Sequence, residues 1–570
     1  MKLNHLGIGC AALFLGALAG CNNDNNDRGS LSAQHVLLIS IDGFHQADLS
    51  SCLAAKTCPT LAALAGSGVT YSAAHTTTPS DSFPGLLAMV TGGTPKSTGV
   101  YYDDSYDRTL YAPGSNCVAS ATNGPGIEAV FDESIEHDFT QLFSPIDPAN
   151  LPMAKGAGGA CTPVYPHNFV QVNTIFEVVK AAGGLTAWSD KHPAYDLVNG
   201  PSGAGVMDLY TPEINSPIAN GGTVQGVDLA GTKSRCDGTN SLPVAKVSDY
   251  TTCIPAVEAY DDVKVQAVIN EIDGKKSDGS AGSGVPEVFG MNFQEVSVGQ
   301  KLPVGGYTDA KGTPSAQLGD AIAHTDASLG RIVAELKSRN LYDSTLIIIS
   351  AKHGQSPIDK TTLAMEGGGH APVQTVQDPS TTLSNAGVTI DQASSFTNPN
   401  SGAVYSTNGH LQTDDVGLVW LQDQSQTSTA VTHLQADAAL IHADTLPSGT
   451  IFGSGGNGII SGSALAGIYG DSTSKTDAVA AARAPDIFIQ PDAGVIYSGS
   501  SKKIAEHGGG TVDDTNVALI VSKSGLKAGT VSTAVGTTQI APTILKALGL
   551  DPAQLQAVQK EGTTTLPSLF

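Results

Sequence analysis

The hydrophobic pattern is dominated by two short, unbroken apolar runs that each end on polar residues. Leu346-Ile347-Ile348-Ile349-Ser350 leads into Ala351-Lys352-His353-Gly354, and His35-Val36-Leu37-Leu38-Ile39-Ser40-Ile41 leads into Asp42-Gly43. A run this short without polar alternation predicts a strand buried on both faces. Val288-Phe289-Gly290-Met291-Asn292-Phe293 is a third run of the same kind. Helical spacing predicts helices over 58–68, 86–90, 170–184, 261–273, 320–340, 429–443 and 538–548. Shorter strands are expected at 69–73, 185–188, 416–422, 486–490 and 517–521. Alternating buried strands and helices predict an α/β fold with a mainly parallel sheet. In such sheets ligands bind beyond the carboxyl ends of the strands, which puts Asp42 and His353 at one rim. An Asp and a His delivered there frame a metal site.

Three stretches break the pattern, near 101–166, 200–255 and 355–415, and are read as loop-rich insertions into a single domain spanning 33–570. The third holds Gly367-Gly368-Gly369-His370, where a lid over the site and a replacement metal ligand at His370 are both conceivable. Hydrophobic residues make up 40 %, enough for a large core, while charged residues are only 14 % and glycines number 65, a balance suited to an exported, loop-rich protein. The net charge of −24, from 29 Lys+Arg against 53 Asp+Glu, argues against nucleic-acid binding, which needs clustered cations. An anionic substrate would have to be drawn by local charge.

Residues 1–20 resemble a bacterial lipoprotein signal: Lys2, a short apolar run over 6–17, then Leu18-Ala19-Gly20-Cys21. Cys21 would be acylated, 21–32 would be a polar tether, and Asn22 points to the outer membrane, with the domain facing the periplasm or the outside. The membrane contact would be through that lipid alone. With Cys10 and Cys21 in the leader, Cys52, Cys58, Cys117, Cys161, Cys236 and Cys253 remain. An even number in an exported chain implies disulfides, with fifteen connectivities open; pairing neighbours is the simplest.

Candidate chemistry enters with Ser80-Asp81-Ser82-Phe83-Pro84-Gly85, just ahead of a predicted helix. Each of Ser80, Asp81 and Ser82 could serve merely as its N-cap. Taken with Asp42-Gly43 before it and Thr91-Gly92, Pro95, Gly99, His353-Gly354 and His507-Gly508 after it, the ordered set resembles the alkaline phosphatase superfamily, and within it the type I phosphodiesterase/nucleotide pyrophosphatase family. That resemblance implies a three-layer sandwich and a metal-dependent hydrolase of small anionic phosphate esters. Ser82 would be the nucleophile, passing through a phosphoserine. Asp42 and His353 would hold one divalent ion with Ser82, and His507 the other, with zinc the first candidate. Metal suits the task because an alkoxide attacking an anion needs charge neutralisation, and the helix amides would add donors for phosphate.

The chain also departs from the family. Lys352 stands where a metal-ligating Asp is expected. The 292–300 stretch lacks the second-metal histidine and ends on Gln300, and the phosphate-binding Asn becomes Asp103. One or two ions therefore remain open. The Lys352 ammonium would take the place of a lost cation and contact phosphate or Asp103. Leu86 in place of an Arg argues against a sulfatase. The alternative from another class is a noncatalytic surface lipoprotein that binds a ligand on a decayed phosphatase scaffold. Gln294, Glu295, Ser297 and Gln300 are expected near the site, His192 at the rim or in the core, and His324 and Asp326 away from it.

Overall fold

The computed structural model describes residues 31–120, 122–131, 135–366, 374–390, 395–441, 458–474, 476–500 and 502–570. Residues 1–20, read as a leader, Cys21 and His370 lie outside the described residues. Eight strands form the central sheet: β1 (His35–Ile41), β2 (Gly68–Tyr71), β3 (Ala187–Ser189), β4 (Asp208–Tyr210), β5 (Val288–Phe293), β6 (Thr345–Ser350), β7 (Ile520–Ser522) and β8 (Gly529–Val531). Their order is β8-β2-β7-β6-β1-β5-β3-β4. All pairings are parallel except those of β7, which runs antiparallel to both β6 and β2. Every residue of β5 and β6 is buried, and only the first of β1 is not, which is why these strands carry no polar alternation.

Helices cover the sheet in two groups. Helices α1 (Pro59–Gly66), α4 (Ile254–Ile272) and α5 (Ala316–Ser338) pack with one another, and α2 (Ser82–Thr91), α3 (Ile175–Ala181) and α6 (Ile540–Ala547) form the other layer. The α2 helix is buried along its whole length, so its sequence is apolar all round. The result is the three-layer α/β sandwich with a mainly parallel sheet.

The irregular stretches carry more structure than their composition suggests. Residues 101–166 include a hairpin, Asp104–Asp107 against Ile127–Val130. Much of 355–496 belongs to a second packed unit, built on a four-stranded antiparallel sheet of His410–Thr413, Gly417–Trp420, Ile487–Ile489 and Ile459–Ser461 with its own apolar core. The disulfides join sequence neighbours: Cys52–Cys58, Cys117–Cys161 and Cys236–Cys253.

Candidate active site

Strand register assembles the site. Ser40 on β1 pairs with Asn292 on β5 and Ser350 on β6, so the residues two further along, Asp42, Gln294 and Lys352, arrive at the rim together. Beyond them β3 delivers Asp190 and Lys191, because Ser189 pairs with Met291. Opposite this rim stands the start of α2. Its N-cap is Asp81, whose carboxylate accepts the Phe83 N–H at 3.0 Å. Ser82 is thereby relieved of capping, and its hydroxyl turns to the rim. The same bond means that one of the helix amides expected to serve phosphate, that of Phe83, is already taken by Asp81. Gly85 lets the helix approach this closely, since a Cβ there would strike the carbonyl of Lys352.

Ser82 Oγ lies 3.1 Å from His353 Nε2 and accepts from Lys191 Nζ at 3.1 Å. His353 donates Nδ1–H to the Gly354 carbonyl at 2.7 Å, which leaves Nε2 bare toward the serine. Asp42 Oδ2 accepts from Gln294 Nε2 at 2.5 Å and Asn292 Nδ2 at 3.2 Å, with Lys191 Nζ at 3.4 Å. Lys352 Nζ binds Asp190 Oδ1 at 2.8 Å, stands 3.8 Å from Asp42 Oδ2, and lies 4.0 Å over the Tyr195 ring. The His507 ring lies against that of His353, centroids 3.8 Å apart, with its Nδ1 3.8 Å from Asp81 Oδ1.

The electrostatics follow from burial opposed by neighbours. Burial alone would raise the Asp42 carboxyl, but Lys352, Lys191 and His353 outweigh it and hold it well below the usual range. Burial pushes His353 down to about 3 and His507 well below its usual value, so both imidazoles are neutral. Asp81 is pushed well up, by burial and then by the charge of Asp103, and Asp103 is raised by its own burial. Lys191 stays an ammonium: Asp42, Asp190, Asp103 and Asp81 together overcome its desolvation.

The expected Asp42, Ser82, His353 and His507 therefore come together, with Lys352 beside them. Asp103 lies within electrostatic reach of Asp81 and Lys191, and the partner of Lys352 is Asp190 rather than Asp103. Gln300 sits behind the rim, donating to the Gly43 carbonyl at 2.8 Å and Tyr307 Oη at 2.9 Å. Glu295 turns away to Thr325 and His324, and Asp326 accepts the amides of Thr60 and Leu61 at the start of α1. His192 is buried against Glu213. Sequence reading missed Asp190, Lys191 and Asp81 as members of the site; the signal for the first two was their place directly after a predicted strand.

The rim carries metal-type donors but does not gather them around one point: among the described residues no three of its His, Asp and Glu donor atoms lie within 4.8 Å of one another. Asp42 Oδ1, Asp81 Oδ1 and His507 Nδ1 are buried without hydrogen-bond partners, and both imidazoles are in the ligating form. An ion between Asp42 and Ser82 would meet the Lys191 ammonium there, and the Lys352 ammonium stands on another side of Asp42. From Lys191 and Gln294 a cleft of about 420 Å³ opens outward, lined also by His192, Lys301, Lys502 and Lys503.

An α/β sandwich with a hydroxyl, an Asp and two imidazoles at its rim is the arrangement that the comparisons with known proteins have to account for. In fold the chain is similar to murine ectonucleotide pyrophosphatase/phosphodiesterase 5, at 12 % identity and TM-score 0.51, covering 91 % of this chain and 96 % of that one. It is also similar to the alkaline phosphatase PafA, at 13 % identity and TM-score 0.54, again covering 91 % and 96 %. No curated protein matches the sequence at a significant level. Residues 36–511 match the profile of the type I phosphodiesterase / nucleotide pyrophosphatase family, and the chain belongs to that family of hydrolases.

Proposed function

We propose that this chain hydrolyses phosphate esters by attack of Ser82 Oγ on phosphorus. The observation that carries this reading is the placement of that oxygen, 3.1 Å from both an ammonium and a bare imidazole nitrogen, on a residue freed from capping. As the O–P bond forms, the ester O–P bond breaks and the leaving oxygen takes a proton. The Ser82 proton passes to His353 Nε2. That imidazole is a weak base, so the larger effect belongs to Lys191: at an effective dielectric near 20, its charge stabilises the alkoxide on the order of 5 kcal/mol. Lys191 then accompanies the phosphoryl oxygens, and water attacks the phosphoserine to release phosphate and restore the hydroxyl.

Members of this family are typically dependent on divalent metal. A divalent ion, zinc by the mixed N/O donors, would supply Lewis-acid neutralisation of phosphoryl charge; Asp42, Asp81 and His507 carry the unpartnered atoms that would hold it, and His353 would join them only by giving up its place as the proton acceptor of Ser82. The cationic cleft favours an ester group that is itself anionic, and a neighbouring fold, the inactive murine protein, is known with AMP. Three disulfides are consistent with export, and we extend the proposal to a lipid tether at Cys21 facing the periplasm or the outside.

The test is hydrolysis of bis-p-nitrophenyl phosphate and p-nitrophenyl phosphate, with acid-quenched digestion and mass spectrometry of the peptide holding Ser82. A phosphoserine in the starting protein, absent with Ser82→Ala, is the expected outcome. No turnover of either ester after reconstitution with zinc or manganese would move the reading to a ligand-binding scaffold.

A further inference from the structure

A second cluster of ligating groups lies outside the catalytic rim. Asp104 opens the hairpin strand Asp104–Asp107, Glu128 lies on its partner strand, and His410 starts the first strand of the second sheet. Three segments far apart in sequence thus deliver two carboxylates and an imidazole to one place. His410 is only 7 % exposed, and its ring backs onto Trp420 with centroids 5.6 Å apart. One donor atom from each of the three residues lies within 4.8 Å of the others, and among the described residues no other group of three does so.

The three groups lie together without a hydrogen bond joining them. His410 Nε2 and Asp104 Oδ1 are 3.2 Å apart, yet neither has a hydrogen-bond partner, so the imidazole is not aimed along an N–H···O line. Glu128 Oε2 is 3.6 Å from His410 Nδ1, too far for a bond, and is held by the Ser406 N–H at 2.6 Å. Ligands about 2.0–2.2 Å from a tetrahedral ion stand roughly 3.2–3.6 Å from one another, the spacing of His410 Nε2 and Asp104 Oδ1, and a donor atom of Glu128 completes the group within 4.8 Å. Asp104 and Glu128 are half-buried carboxylates beside one buried imidazole, a mixed N/O donor set that a divalent ion satisfies.

We propose that Asp104, Glu128 and His410 form a divalent-metal site separate from the catalytic rim, holding a structural zinc or manganese ion that ties the hairpin to the second sheet. The donor chemistry, one nitrogen and two carboxylates, selects those ions over calcium or magnesium, which take all-oxygen shells. The tie would brace the rim from behind. Tyr102, two residues before Asp104, donates to Asp414 Oδ2 at 2.9 Å and reaches the His507 carbonyl at 3.3 Å.

The experiment is elemental analysis and thermal unfolding of residues 28–570 carrying His353→Ala and His507→Ala, which remove both imidazoles of the rim. About one ion per chain should persist, disappear on adding His410→Ala, and disappear likewise with the nearly isosteric Glu128→Gln, the control if the alanine variant does not fold. Chelator should lower the melting temperature of the His410-containing protein by several degrees and leave the two variants unmoved. Cobalt substitution should give visible d–d bands that both variants lack. Equal metal content with and without His410 and Glu128, or melting indifferent to chelator, would overturn the site and leave an ion-paired triad. This outcome is independent of whether Ser82 turns over any ester.

Discussion

Lys191 and Glu506 illustrate two uses of charge beside one cleft. Lys191 is the cation at Ser82 Oγ, so Lys191→Met should lower kcat/KM at least a hundredfold with a small change in melting temperature, measured on bis-p-nitrophenyl phosphate. Glu506 is a stability group. Burial would raise its carboxyl, but Lys301 at 2.9 Å and then Lys503 hold it down at about 2. A depressed folded-state value contributes stability that is present above the ordinary value of 4.5 and is lost as pH falls toward 2. Glu506→Gln should therefore cost on the order of 2 kcal/mol at pH 7, with the difference closing near pH 2, as read from denaturant unfolding at each pH. Removing Lys352 instead would strand Asp190 at full burial, and Lys352→Met should destabilise by about 3–5 kcal/mol.

At the scale of elements, α2 and the end of β6 are fitted to each other through Gly85. Gly85→Ala should push the helix from the Lys352 carbonyl and part Ser82 from His353. The expected result is a fall in kcat of tenfold or more, with phosphoserine still trapped but formed more slowly. The elements that carry Asp42 and His353 were legible because strands buried on both faces leave unbroken apolar runs. So was the Ser82 turn, whose order relative to those strands had meaning although no tripeptide did. Lys191 was not legible: β3 has only three residues, and its Lys meets Asp42 and Ser82 only through pairing across the sheet. The reversed direction of β7 was equally hidden, since an apolar run reads alike in either direction. Gln300 was expected near substrate by counting along 292–300, but the helical turn over Glu295–Lys301 carries it behind the rim to Gly43 and Tyr307.

For the whole molecule, an acidic chain of net charge −24 gathers lysines at one opening. The double variant Lys502→Glu with Lys503→Glu should raise KM for an ester bearing a second phosphate by tenfold or more, while KM for p-nitrophenyl phosphate moves little; salt titration should weaken the difference. The second packed unit, unseen as such in the sequence because its strands are separated by long polar stretches, closes over the same region through Asp414 and Asp415, which bind Tyr102 and the Gly509 amide.

If the proposed reaction holds, the lysine at the end of β6 changes how the site is supplied. A metal ion must be won from the surroundings and is lost to any stronger scavenger, whereas an ammonium on a side chain is inherited with the gene. Part of the positive charge facing the phosphoryl group is thus encoded and permanent. A site relying on captured ions alone would fall silent when they are scarce; this one keeps Lys191 and Lys352 in place at any metal concentration.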